Sequence, residues 1–291
     1  IVTDLSVAPG VSTFTYDSGA NSIYTGAFLD GSVRTVGLTK RRSSSLTLTG
    51  ESAHSGGTLL ENGVINSMTS SALGTGAVHV GMVGAGGGGN YTRLTIGNAT
   101  ISNALNVGAH FPNGGALLGL ASGVAQSGIW SGPITFTQAS TNGYTFYGAA
   151  GARQLVLNGR ILAPGLTLIS GESVKIGNPN GDSNFGVLEH RRGTLTLGAD
   201  GALPANLRLA LSAANAATFN LAGYDQTLEQ VVRASASYSA TVTNTNTTDL
   251  AVLTLRPASS FIYTGVFTGN LSIVKPAGFG DMTLTGASTH T

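Results

Sequence analysis

Leu46-Thr-Leu-Thr-Gly-Glu-Ser-Ala-His54 recurs near the other end of the chain as Met282-Thr-Leu-Thr-Gly-Ala-Ser-Thr-His290. Two further blocks recur in the same order. Thr3-Asp-Leu-Ser-Val7 returns as Thr248-Asp-Leu-Ala-Val252, and Ile23-Tyr-Thr-Gly-Ala-Phe28 returns as Ile262-Tyr-Thr-Gly-Val-Phe267. The spacing between copies drifts by a few residues, as changes in loop length would make it. Segments 3–54 and 248–291 therefore read as two copies of one long repeat. The second copy stops in mid-pattern at Thr291. The first copy continues through Ser55-Gly-Gly-Thr-Leu59, which leads us to expect that further coils complete the second.

Between the repeats runs a series of short alternating segments. They include Val78-His-Val80, Arg93-Leu-Thr-Ile96, Ile134-Thr-Phe-Thr137, Gln154-Leu-Val-Leu157, Leu166-Thr-Leu168 and Val174-Lys-Ile176. Thr194-Leu-Thr-Leu197, Arg208-Leu-Ala-Leu211 and Val252-Leu-Thr-Leu255 continue the series. Each puts apolar side chains on one face and mostly Thr, Arg or Lys on the other, as a half-buried strand requires. Gly, Asn or Pro fills almost every gap. An antiparallel sandwich would place its Asn-Gly and Asp-Gly turns regularly between paired runs. Here Asp30-Gly31, Asn62-Gly63, Asn113-Gly114, Asn142-Gly143, Asn158-Gly159 and Asn180-Gly181 fall irregularly. Together with the long repeat, this favours a stacked parallel β-helix (β-solenoid) as a single domain over residues 1–291. One coil every ~20 to 25 residues gives roughly 12 to 14 rungs and a length of about 60 Å at the ~4.8 Å strand spacing. The best helical turns fall in Asn206–Ala217 and Asp225–Val232, and both are weak.

Composition supports this. Gly accounts for 43 of 291 residues, and charged residues for 9%, against about 7% and 25% in average chains. Leu, Ile, Val and Phe still make up about a quarter, enough to bury a core. The net charge of +1 argues against a nucleic-acid binder, which needs a clustered basic face. With no Cys, disulfides, thiolate metal sites and thiol nucleophiles are excluded. No apolar run is long enough for a membrane-spanning helix. The chain opens at Ile1, so we expect any targeting segment to lie outside this piece.

The residues also carry a family resemblance. Leu38-Thr-Lys40, Leu46-Thr-Leu-Thr-Gly50, Ser55-Gly-Gly-Thr58 and Ala72-Leu-Gly-Thr-Gly-Ala-Val78 together resemble the autotransporter-associated β-strand repeat. Leu271-Ser-Ile-Val-Lys-Pro-Ala-Gly-Phe-Gly-Asp-Met-Thr-Leu-Thr-Gly-Ala-Ser-Thr-His290 is a second match. Gly223-Tyr-Asp-Gln-Thr-Leu228 and Ala240-Thr-Val-Thr-Asn244 are similar to the segment that often precedes such a repeat. Arg41-Arg42 departs from the usual Thr-Gly, and His54 and His290 stand where Tyr is usual. The resemblance implies a right-handed parallel β-helix, exposed on or secreted from a bacterial cell, with no catalytic residues.

Several stretches invite a chemical function. Gly84-Ala-Gly-Gly-Gly-Gly89 satisfies the dinucleotide-loop pattern, but a strand-like segment follows it rather than the helix that would hold a pyrophosphate. It reads as a surface turn, and no cofactor is expected. Asn178, Asn180, Asp182 and Asn184 alternate oxygen-bearing side chains that could wrap Ca²⁺, although turns favour the same residues. Lys40, Arg41 and Arg42, with Arg191 and Arg192 after Glu189-His190, form the densest charge clusters. They occupy equivalent turns on different rungs and are candidate contacts for an anionic polysaccharide; the alternative is a set of solvated turns. The 13 acids are scattered, although Asp182 with Asp200, or Asp200 with Asp225, could approach across stacked rungs. No nucleophile-elbow or zinc-protease motif occurs.

The expected function is non-catalytic: a rigid extracellular or cell-surface shaft that stacks head-to-tail with further repeats or copies. Open coil ends drive such assembly, because they expose strand edges and core. Ile1, Val2, Leu5 and Val7 at one end, and Met282 and Leu284 at the other, are the assembly residues. A glycan-binding adhesin, with protruding loops at Phe111–Gly123 and Gly143–Gly151, is one alternative. A polysaccharide-cleaving enzyme is another.

Overall fold

The computed structural model describes residues 1–81, 92–108, 116–121, 127–137, 144–149 and 153–290. All of the alternating segments quoted above form strands, and no helix occurs among the described residues. The strands pair in parallel and stack as the coils of a β-solenoid of about ten turns. That is fewer than the 12 to 14 expected from a uniform repeat, because coil length varies. Stacked partners lie 19 residues apart at Thr47 and Asn66, but 29 apart at Asn66 and Thr95. The contacts group into two compact units, Ile1–Thr145 and Phe146–Thr291.

In the first unit, strands Gly10–Tyr16, Arg34–Lys40, Thr58–Leu60, Val78–Val80, Leu105–Val107 and Ile134–Phe136 lie side by side in register. One column of inward positions runs Tyr16, Lys40, Leu60, Val80, Val107, Phe136. A second ladder stacks Ser22–Tyr24, Ser45–Leu48, Gly63–Ser67, Thr92–Ile96 and Ala116–Leu120. Strand alternation decides which side chains go in. Val78 and Val80 are buried, while His79 between them is half-exposed.

In the second unit, Leu155–Leu157, Val174–Ile176, Gly193–Leu197, Ala217–Asn220, Ala240–Asn244, Val266–Gly269 and Thr289–His290 form the longest ladder. Its core column is Leu155, Val174, Leu195, Phe219, Val242 and Phe267, all buried. Each such side chain contributes about 1.5–3 kcal/mol of burial. A second ladder joins Ile161–Gly171, Asn184–His190, Arg208–Leu211 and Gln230–Arg233. A third joins Gln226–Leu228, Ala251–Leu255 and Leu271–Val274, and Phe261–Tyr263 pairs with Met282–Leu284.

The two segments singled out as helical turns are strands instead. Arg208–Leu211 lies within the first, and Gln226–Leu228 and Gln230–Arg233 fill the second. Neighbouring coils offer hydrogen-bond partners on both edges, and Leu209 and Leu211 bury fully on one face. Such tertiary pairing outweighs weak local propensity. Residues 84–89 lie outside the described residues, as do 111–115, 122–123, 143 and 150–151 of the two expected protruding loops. The described parts of those segments are mainly strands instead, Ala116–Leu120 and Tyr144–Tyr147, whose Leu117, Leu118, Tyr144 and Phe146 are buried in the core.

Candidate functional site

Two of the three blocks of the long repeat reproduce each other's contacts. In the first copy Tyr24 packs on Phe28 at 4.7 Å between ring centroids, and Phe28 meets the edge of His54 at 5.7 Å and 70°. In the second copy Tyr263 packs on Phe267 at 4.8 Å, and Phe267 meets His290 at 6.0 Å and 70°. The Phe28 amide donates to Ser52 Oγ at 3.1 Å, and the Phe267 amide donates to Ser288 Oγ at 3.2 Å. Gly50 and Gly286 both press against the carbonyl of the glycine one coil earlier, Gly26 and Gly265, leaving no room for a Cβ. The block Thr3–Val7 behaves differently. Ala251–Leu255 is a strand flanked on both edges, whereas Leu5 and Val7 are 87% and 86% exposed.

The next coil shows what covers this pattern in the first copy. Met68 N donates to Leu48 O at 3.0 Å, and Thr69 Oγ1 to Gly50 O at 3.2 Å. Thr75 N donates to His54 O at 2.8 Å, and His54 Nε2 lies 3.2 Å from Thr58 Oγ1. At the matching positions of the second copy, Leu284 is exposed and Met282 half-buried, whereas Leu48 and Leu46 are buried. Burial lowers the His54 pKa against the opposing charge of Asp30, so the ring packs as a neutral group. In the first unit Val2 is half-buried and bridges to Phe28, while Ile1 is exposed.

Each basic cluster comes just after a strand whose last residue points inward. Lys40 ends Arg34–Lys40 and His190 ends Asn184–His190, and both are completely buried. Lys40 is therefore a core residue. Its Nζ donates to the carbonyls of Arg41, Arg42 (2.7 Å) and Asn62 (3.4 Å), and lies 5.5 Å from the centre of the Tyr16 ring. Burial draws its pKa down to about 8, against the pull of Asp17. Arg42 takes a left-handed φ of 57° to aim its carbonyl at this ammonium. All four arginines are paired. Arg41 pairs with Glu61 at 2.8 Å, Arg42 with Asp17, Arg191 with Glu189 at 2.9 Å and Arg192 with Glu172 at 2.8 Å. Arg192 also lies 5.2 Å above the Tyr147 ring. Compensated charges of this kind project little field.

The asparagine turn is closed on itself. Asn178 is buried and donates to Asp182 Oδ1 at 2.9 Å and Ser183 Oγ at 3.0 Å, while its own Oδ1 accepts from Asn180 N at 3.2 Å. Asp182 pairs with Arg160 at 3.3 Å, and Asn184 is exposed at the start of its strand. An amide NH₂ held against the only carboxylate of the turn points the wrong end of Asn178 toward a cation. Among the described residues no group of three or more His, Asp or Glu converges as a metal site would.

Sequence reasoning missed the inward direction of Lys40 and His190. The signal was there, in the strand period: Lys40 is two residues from Leu38, and His190 is two from Leu188. Against known proteins, no family model, no curated protein sequence and no solved structure matches this chain.

Proposed function

We propose that this protein is a non-catalytic β-solenoid shaft whose terminal coils are continued by further coils, from tandem repeats or another copy of the chain, into a stalk or filament. The observation that carries the proposal is the reproduced repeat. The coil ending at His290 presents the edge that, at His54, the next coil covers with backbone and hydroxyl donors. An open parallel edge beside exposed apolar side chains favours continuation of the sheet. Head-to-tail contacts that do not close generate filaments. The resemblance to autotransporter-associated β-strand repeats supports placing the shaft outside a bacterial cell, at its surface or secreted. Electron microscopy of the purified chain across a concentration series tests self-stacking. End-to-end rows that lengthen with concentration are expected, and discrete single particles at every concentration refute it.

A further inference from the structure

The second unit carries a groove of about 450 Å³ that the shaft function does not use. Its walls come from successive coils, with Asp200 and Leu203 on one, Asp225 and Thr227 on the next, and Val252 and Thr254 on the third. The floor is rigid. Gln226, buried beneath it, accepts from Leu203 N at 3.1 Å and donates to Leu203 O at 2.9 Å and Thr227 O at 2.6 Å. The carboxylates are fixed in the same way. Asp200 Oδ1 accepts from Asp225 N at 2.8 Å, and Asp225 Oδ1 accepts from Val252 N at 2.7 Å. Each carboxylate thus spends one oxygen on the following coil and turns its exposed remainder to solvent.

The lining chemistry selects its ligand. It contains no Lys, Arg or His, and neither carboxylate joins an ion pair among the described residues. Phosphates and uronates would meet unopposed negative charge. The lining has no aromatic residue on which a planar ligand could stack, and its apolar part is the aliphatic Leu203, Ala205 and Val252. What remains is an acceptor-rich row that calls for hydroxyl donors. Thr227 and Thr254 stand in register on adjacent strands, so their hydroxyls repeat at the ~4.8 Å strand spacing, close to the length of one pyranose unit. From this we infer that the groove binds an uncharged glycan chain laid across successive coils, with its hydroxyls donating to Asp200 and Asp225 and exchanging hydrogen bonds with Thr227 and Thr254. This does not depend on the shaft proposal, since the groove lies within one unit of one chain.

The test is amide chemical-shift mapping by NMR on the full chain, titrated with a neutral β-1,4-linked glucose hexamer, a neutral mannose hexamer, a galacturonate hexamer and calcium chloride. Saturable shifts at Gly201, Thr227 and Thr254 are expected with at least one neutral oligosaccharide, and none with the galacturonate. Asp200→Asn and Asp225→Asn keep the oxygen that accepts the backbone N–H, so both should fold as the parent does. Each should weaken binding about tenfold through loss of a charge-assisted hydrogen bond. Thr254→Val, which matches Thr in shape, should weaken it several-fold. Four outcomes each overturn the proposal: no saturable shift with either neutral hexamer, binding undiminished in both Asp variants, preference for the galacturonate, or response to calcium alone.

Discussion

Acidification from pH 7 to pH 4 should cost the second unit about 3 kcal/mol through a single side chain, His190. The ring is fully buried, with Nδ1 2.8 Å from Ser170 Oγ. Burial pushes its pKa from 6.5 down to about 4, partly countered by hydrogen bonding to the Gly193 backbone. The sign follows from proton binding. Below pH 6.5 the unfolded chain protonates this imidazole, while the folded chain resists until about pH 4. The contribution is therefore complete above 6.5 and is lost progressively as pH falls toward 4. A shift of about 2.5 units at ~1.36 kcal/mol each gives ~3 kcal/mol. Carboxylates protonate over the lower part of this range, so the informative quantity is a difference between variants. His190 pairs in register with Leu211, and His190→Leu should therefore fit the column. Leaving the Ser170 hydroxyl unpaired costs it about 1–3 kcal/mol at neutral pH, and Ser170→Ala alongside should recover part of that. Urea melts followed by far-ultraviolet circular dichroism at pH 7, 5.5 and 4 give the comparison. The wild type should lose more stability than His190→Leu over this interval. Equal losses in the two proteins would refute the assignment of a neutral, proton-excluding imidazole.

Lys40 predicts the same trend, stability rising with pH, in the alkaline range. Its folded pKa of about 8 lies below the ordinary 10.5, so the wild type should gain stability between pH 8 and 10.5 relative to Lys40→Met, as read from paired melts. Gly50→Ala and Gly286→Ala each place a methyl against a carbonyl of the coil before, and each should destabilise by about 1–3 kcal/mol; a large inequality would mean that the two copies are not packed alike. Because Arg41, Arg42, Arg191 and Arg192 are paired to carboxylates, the protein should wash through a heparin column at physiological salt. Arg192→Ala should change stability by less than about 1 kcal/mol in thermal melts.

The strand positions were legible because alternation is a local property: Leu-Thr-Leu and Val-Lys-Ile read the same way before and after folding. The parallel stacking was legible from the long repeat, which no hairpin fold would need. Coil length was not, because the stretches between alternating segments carry no periodic signal. The basic clusters misled in one respect. Charge suggests surface, and only the register that places Lys40 between Tyr16 and Leu60 turns it inward, where three carbonyls replace water. The groove was half visible. Asp200 and Asp225 were recognisable as neighbours one coil apart, but the Thr ladder beside them depends on a pairing, Thr227 with Thr254, that spans a loop of unpredictable length.

Circuits of unequal length share walls of constant pitch. Partners 19 residues apart and partners 29 apart meet with the same parallel hydrogen bonding. Additional chain is therefore taken up between paired strands without disturbing the register of the walls. A lineage of such molecules can vary the length of chain between strands while the wall itself keeps its spacing.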